Sequence, residues 1–125
     1  IRIAQKVLII EDDPEIAKMY KTHLEELGCR VLHADDGRKG FDLAKSEKPD
    51  AILLDLRLPG MYGTDVLKML KGDGETKEIV VFVLTNMLYP GEREIVENLG
   101  ATDILIKAET TPRDISDLIR QYFNK

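Results

Sequence analysis

The stretch Lys6-Val7-Leu8-Ile9-Ile10-Glu11-Asp12-Asp13-Pro14 decides the fold. Its apolar core has strand length and shows no polar alternation, as a strand buried on both faces does. Three acids end the run, and Asp13 with Pro14 behind it reads as a helix N-cap with proline at the first helical position. Ile16, Met19, Tyr20, Leu24 and Leu27 then mark one apolar stripe, and Gly28 stops it. A buried strand that passes through an acidic turn into an amphipathic helix is the first half of a parallel crossover.

The same alternation runs through the whole chain. Strand-length apolar runs lie at Lys6 to Ile10, Arg30 to Ala34, Ala51 to Leu54, Ile79 to Leu84 and Thr102 to Ile106. The segments between them have helical period: Arg38 to Glu47, Thr64 to Lys71, Glu92 to Leu99 before Gly100, and a last one opened by Thr111-Pro112 and carrying Ile115, Leu118, Ile119 and Tyr122. Gly72-Asp73-Gly74 reads as a loop and Asp35-Asp36-Gly37 as a turn into a helix. No repeat, low-complexity tract or interdomain linker interrupts the pattern. Right-handed crossovers then place helices on both faces of a parallel sheet, giving an α/β doubly wound fold.

Size and composition agree with one such unit spanning residues 1–125. The chain has a mass of 14.2 kDa, is 43% apolar and 33% charged, and carries 18 Lys plus Arg against 23 Asp plus Glu for a net charge of −5. That balance argues against direct nucleic-acid binding, which needs a basic excess. The longest apolar run, Ile79 to Leu84, is far short of the roughly twenty residues a membrane span requires. No secretory signal precedes Lys6, and Cys29 has no second cysteine to pair with, so a reducing, cytoplasmic setting is expected. Ile1 in place of an initiator methionine is read as a processed or trimmed end.

In open parallel sheets the chemistry lies beyond the carboxyl ends of the strands. Here Glu11, Asp12 and Asp13 follow the first run, Asp55 the third, Thr85 the fourth and Lys107 the fifth. Asp13 is explained by its capping role. The remaining acids are not explained by packing, because like charges about 5 Å apart repel by roughly 3 kcal/mol at an effective dielectric of about 20. A divalent cation resolves the repulsion, and all-oxygen ligands favour a hard ion such as Mg2+, which tolerates completion by water and phosphate. A carboxylate beside such an ion, an amine and a hydroxyl is suited to accept a phosphoryl group.

At these residues the chain resembles the receiver domain of two-component response regulators. The resemblance rests on Val7-Leu8-Ile9-Ile10-Glu11-Asp12-Asp13, on Leu53-Leu54-Asp55-Leu56-Arg57-Leu58-Pro59-Gly60-Met61, on Leu84-Thr85, and on Gly100-Ala101-Thr102-Asp103 leading to Lys107. It implies a flavodoxin-like five-stranded sheet of order 2-1-3-4-5 with five helices. It also implies that Asp55 is the phosphoacceptor, that Asp12 and Asp55 bind Mg2+ with Glu11 acting through metal-bound water, and that the backbone carbonyl of Arg57 completes the protein ligands. Thr85 matches the switch hydroxyl, Lys107 the lysine that pairs with the aspartate or its phosphoryl oxygen, and the Asn86 backbone N–H falls beside the phosphoryl group. The implied partners are a sensor histidine kinase or histidine phosphotransfer protein upstream and an effector protein or domain downstream.

The sequence departs from the family at several positions. Ala108 follows Lys107 where proline in a cis peptide is usual, so a trans bond and a different loop path are expected, because a non-proline cis bond costs about 3 kcal/mol. Ile104 stands where the family usually carries Tyr or Phe, and Asn86 replaces a small residue after the hydroxyl, narrowing phosphate access. Arg57 and Met87 occupy the variable positions beside acceptor and switch, and both are expected to shield the acyl phosphate from water. His23 and His33 lack metal-ligand spacing and read as structural, and Cys29 reads as a small packing group. A haloacid-dehalogenase-type phosphatase would need an Asp where Arg57 stands, and a nucleotide module would need a glycine-rich loop where the first acids stand. The remaining alternative is a receiver-like binding module that signals without phosphate.

Overall fold

The computed structural model describes residues 3–123. The elements in chain order are β1 (Lys6–Ile10), α1 (Pro14–Glu26), β2 (Arg30–Ala34), α2 (Gly37–Glu47), β3 (Ala51–Asp55), α3 (Gly63–Gly72), β4 (Val80–Thr85), α4 (Glu92–Asn98), β5 (Asp103–Ile106), a 3-10 turn over Lys107–Glu109, and α5 (Pro112–Phe123). All neighbouring strands pair in parallel, in the order β2-β1-β3-β4-β5. This is the doubly wound, flavodoxin-like sheet that the sequence implies. No helix among the described residues is long and apolar enough to cross a membrane. The reading of Ile1 as a processed or trimmed end falls outside the described residues.

Strand residues alternate between two cores. Leu8, Ile10, Ile52, Leu54, Val81 and Val83 face α2, α3 and α4 through Phe41, Val66, Leu67, Leu70 and Val96. Val7, Ile9, Leu53, Phe82 and Leu84 face α1 and α5 through Ala17, Tyr20, Leu24, Ile115 and Ile119. Every residue of β3 is buried, as befits the central strand. The structure extends β3 by one residue to include Asp55, and shifts the fourth strand by one to end on Thr85, because the ladder continues through both.

Helix ends follow the capping chemistry read from the sequence. The Asp13 side chain accepts from the backbone N–H groups of Glu15 and Ile16, and Asp36 accepts from Lys39 N–H at 2.8 Å. Thr111 and Asp114 cap α5 reciprocally: Asp114 N–H donates to Thr111 Oγ1 at 3.1 Å, and Thr111 N–H to Asp114 Oδ2 at 2.8 Å. One member of the α1 stripe is corrected: Met19 is 45% exposed. At 100° per residue it projects about 95° from the centre of the face made by Ile16, Tyr20, Leu24 and Leu27. Ala17 takes its place in the core.

No peptide bond among the described residues is cis, so Lys107 joins Ala108 in trans, and the chain turns directly into the 3-10 segment. Behind Asp55 the chain doubles back so tightly that Gly63 packs on it: a Cβ there would stand 2.5 Å from the Asp55 carbonyl oxygen and 2.5 Å from Leu56 Cα. Gly63 N–H also donates to the Leu56 carbonyl at 2.9 Å. Backbone cannot yield as a side chain does. Gly63→Ala is therefore expected to lower the unfolding free energy by about 3 kcal/mol in urea titrations. Gly72→Ala, with open space around it, should be neutral or stabilise by up to about 1 kcal/mol. Equal effects of the two would contradict the steric account.

Candidate functional site

Because all five strands run the same way, their carboxyl ends share one edge. Ile10 pairs with Leu54, Asp55 with Leu84 and Thr85 with Ile106, so Glu11, Asp55, Thr85 and Lys107 all emerge at that edge. One carboxylate oxygen from each of Glu11, Asp12 and Asp55 lies within 4.8 Å of the other two. Glu11 and Asp55 are buried and Asp12 is exposed, which leaves the cluster open on one side.

The Lys107 ammonium sits between the two buried acids, 2.6 Å from Glu11 Oε1 and 3.1 Å from Asp55 Oδ2. All three side chains are at most 10% exposed. The carboxylates are also fixed by backbone donors. Arg57 N–H donates to Asp55 Oδ1 at 3.0 Å and Asp13 N–H to Glu11 Oε2 at 3.1 Å. His33 Nε2 donates to the Glu11 carbonyl at 2.7 Å, which gives this histidine the structural role read for it.

Electrostatics follow from burial. Desolvation pushes Glu11 up to about 7, with the Asp55 charge adding to the rise, although the hydrogen bonds from Lys107 and Asp13 pull the other way. Burial alone would lower Lys107, but its bond to Glu11 and the charges of Asp55 and Glu11 outweigh that and hold the ammonium above its usual range. With three acids against one lysine, the edge carries excess negative charge. The donor set contains carboxylate oxygen and neither sulfur nor imidazole, which fits a hard divalent cation.

The two flanking groups behave differently from the acids. Thr85 is fully buried, and its hydroxyl donates to the Met87 carbonyl at 3.1 Å. Asn86 and Met87 lie exposed just beyond it. The Arg57 guanidinium is held by the Glu92 carboxylate through bonds of 2.8 and 2.6 Å. It also donates to the Met87 carbonyl at 3.1 Å and stacks 4.6 Å over the Tyr89 ring. Glu92 and Tyr89 were not legible as site residues: Glu92 lies 35 positions from Arg57 and reads in sequence as an ordinary first-turn acid of a helix.

A model of the response regulator receiver domain matches residues 7–120. The chain belongs to that family. It is 31% identical to the polar-differentiation response regulator DivK of Brucella anthropi over 118 residues, 94% of this chain and 95% of that protein. DivK of Brucella ovis is likewise 31% identical, over 96% of this chain and 97% of its own. Among solved structures, the chemotaxis protein CheY4 of Vibrio cholerae is 26% identical with a TM-score of 0.87, covering 95% of this chain and 98% of that one. The receiver domain of the sensor histidine kinase PA1611 of Pseudomonas aeruginosa is 25% identical with a TM-score of 0.87, covering 98% of this chain and 100% of that one, and was solved with a magnesium ion coordinated in its active site cleft. This receiver domain is thus a phosphoaccepting signalling domain of a two-component system, a family that works with histidine kinases and effectors and binds Mg2+ at an acidic pocket.

Removing the central cation of this edge should be costly. Lys107→Met leaves Glu11 and Asp55 facing each other without compensation, and is expected to lower the unfolding free energy by about 3 kcal/mol in metal-free buffer. Millimolar Mg2+ should return most of that loss, because a bound cation stabilises the folded state by mass action. Urea titrations with EDTA and with Mg2+ check both parts, and a loss that is the same in the two buffers would contradict the charge-balance account.

Proposed function

We propose that Asp55 is the phosphoacceptor of this receiver and that residues 1–125 act as one switching unit. The observation that carries the reading is the placement of the Asp55 carboxylate, buried at the strand edge, 3.1 Å from the Lys107 ammonium and grouped with Glu11 and Asp12. The donor is a phosphohistidine on a sensor kinase or a histidine phosphotransfer protein. An Asp55 carboxylate oxygen bonds to phosphorus as the P–N bond breaks, and the electron pair leaves on the imidazole nitrogen. The product is an aspartyl phosphate, and hydrolysis at phosphorus later returns the free carboxylate.

Asp12, Asp55 and the Arg57 backbone carbonyl would hold Mg2+ directly, with Glu11 acting through water. The ion supplies charge neutralisation for the phosphoryl oxygens. The chain's own groups do the rest. Arg57 N–H orients the acceptor carboxylate, Lys107 neutralises a phosphoryl oxygen, and the Thr85 hydroxyl and Asn86 backbone N–H donate to the others. Lys107 then gives up its hold on one or both acids. Arg57 and Met87, flanking the acceptor, limit the approach of water to the acyl phosphate. The single, buried Cys29 fits a reducing, cytoplasmic setting. The output passes to an effector protein or domain through a rearranged surface.

Incubation with Mg2+ and phosphoramidate, followed by intact mass, should add one phosphoryl group to the wild type and none to Asp55→Asn. No addition to the wild type, or an addition that survives Asp55→Asn, would overturn the reading. Arg57→Asn and Met87→Glu should each shorten the lifetime of the aspartyl phosphate by several-fold when donor is removed and decay is followed by mass. Unchanged decay in both would contradict the shielding role.

A further inference from the structure

Arg57 stands two residues beyond Asp55, yet its guanidinium grips the start of α4. Two parallel bonds, of 2.8 and 2.6 Å, join it to both oxygens of Glu92, whose Oε1 also accepts from Tyr89 N–H at 3.0 Å. The ion pair is largely sheltered, with 28% of the Arg57 side chain and 15% of the Glu92 side chain exposed. The Tyr89 ring covers the guanidinium plane at 4.6 Å.

Helix α4 has few anchors besides this grip. It has only seven residues, a single one of them buried, Val96. Its N-cap is Gly91, at φ 81°, which offers no side-chain acceptor to the first turn. The Glu92 carboxylate ties back to the preceding loop instead, and Arg57 holds Glu92. The Met87 carbonyl joins the two halves of the site, because it accepts from both Arg57 Nη2 and Thr85 Oγ1 at 3.1 Å. Ile104, a buried residue of β5, has no aromatic ring with which to follow Thr85.

We propose that Arg57 is the positioning residue that reports the state of Asp55 to α4 by exchanging partners. With Asp55 unmodified the guanidinium clamps Glu92 and holds the first turn of α4. When Asp55 carries a phosphoryl group, the guanidinium leaves Glu92 for phosphoryl oxygens and that turn is released. The inference rests on the reading of Asp55 as acceptor. A guanidinium fork fits a carboxylate and a phosphoryl group equally well in shape, and the phosphoryl group carries the greater charge. The Arg57 backbone is already tied to the Asp55 carboxylate at 3.0 Å, so only the side chain must swing. By linkage, a change that weakens the clamp from the Glu92 side and leaves the Arg57 fork intact favours the phosphorylated state to the same extent.

The test compares wild type, Glu92→Gln and Arg57→Met by hydrogen exchange of residues 89–96 and by phosphoryl occupancy from intact mass, with Mg2+ and graded phosphoramidate. Without donor, both variants should exchange faster than wild type in this segment, and phosphorylated wild type should match them. Glu92→Gln should reach half occupancy at about two- to fivefold lower donor concentration. Arg57→Met, which has lost the fork, should show no such gain. A helix loosened for purely structural reasons would not raise occupancy. Wild type that is phosphorylated by mass but keeps its α4 protection would overturn the partner exchange and leave Asp55 as acceptor. A wild type that takes up no phosphoryl group would overturn the acceptor reading and the exchange with it.

Discussion

The ammonium of Lys107, 2.6 Å from Glu11 and 3.1 Å from Asp55, lets two buried carboxylates end adjacent parallel strands. Without a cation between them the pair would oppose folding, since uncompensated charge in a sheltered site costs several kcal/mol. The rest of the architecture serves to bring the partners together. Lys107 reaches the acids from β5 across the ends of β4 and β3, and only a sheet whose strands all run one way aligns those ends. The tight turn that Gly63 permits behind Asp55 keeps that edge in register with α3.

The same edge is left incompletely neutralised. Asp12 adds a third acid on the exposed side, and one ammonium cannot balance three carboxylates. Stability alone gains nothing from that excess, and it lies at the switch point of the sheet, where open α/β folds bind their ligands. On the proposed reading, a hard divalent cation would balance that excess and let Asp55 take a phosphoryl group, whose added negative charge the edge would otherwise repel. Arg57 extends this logic outward, since its guanidinium is committed to Glu92 while its backbone orients Asp55.

Much of this was legible in the sequence because it is local. Buried strands announce themselves as unbroken apolar runs, and β1 and β2 begin and end where their runs do. Caps are written within a few residues, as Asp13 with Pro14 and Thr111 with Asp114 show. Acids that follow strands put Glu11, Asp12 and Asp55 on one edge from the sequence alone. Two kinds of feature escaped. Met19 reads as part of the buried stripe of α1, because spacing by three or four resembles a face even where the angle drifts off it, yet it is exposed. The Arg57 to Glu92 pair joins positions 35 apart through side chains that are individually ordinary. Only the three-dimensional approach of the two loops brings it out.

The central claim is that this edge is built to hold a cation and a phosphoryl group together on Asp55. A crystal structure grown with Mg2+ and beryllium fluoride, which mimics an aspartyl phosphate, tests it most directly. The account predicts a fluoroberyllate bonded to an Asp55 carboxylate oxygen, a cation on Asp12, Asp55 and the Arg57 carbonyl, and the Lys107 ammonium turned toward a fluorine. An edge that stays free of both groups, with Lys107 still bridging Glu11 and Asp55, would contradict it.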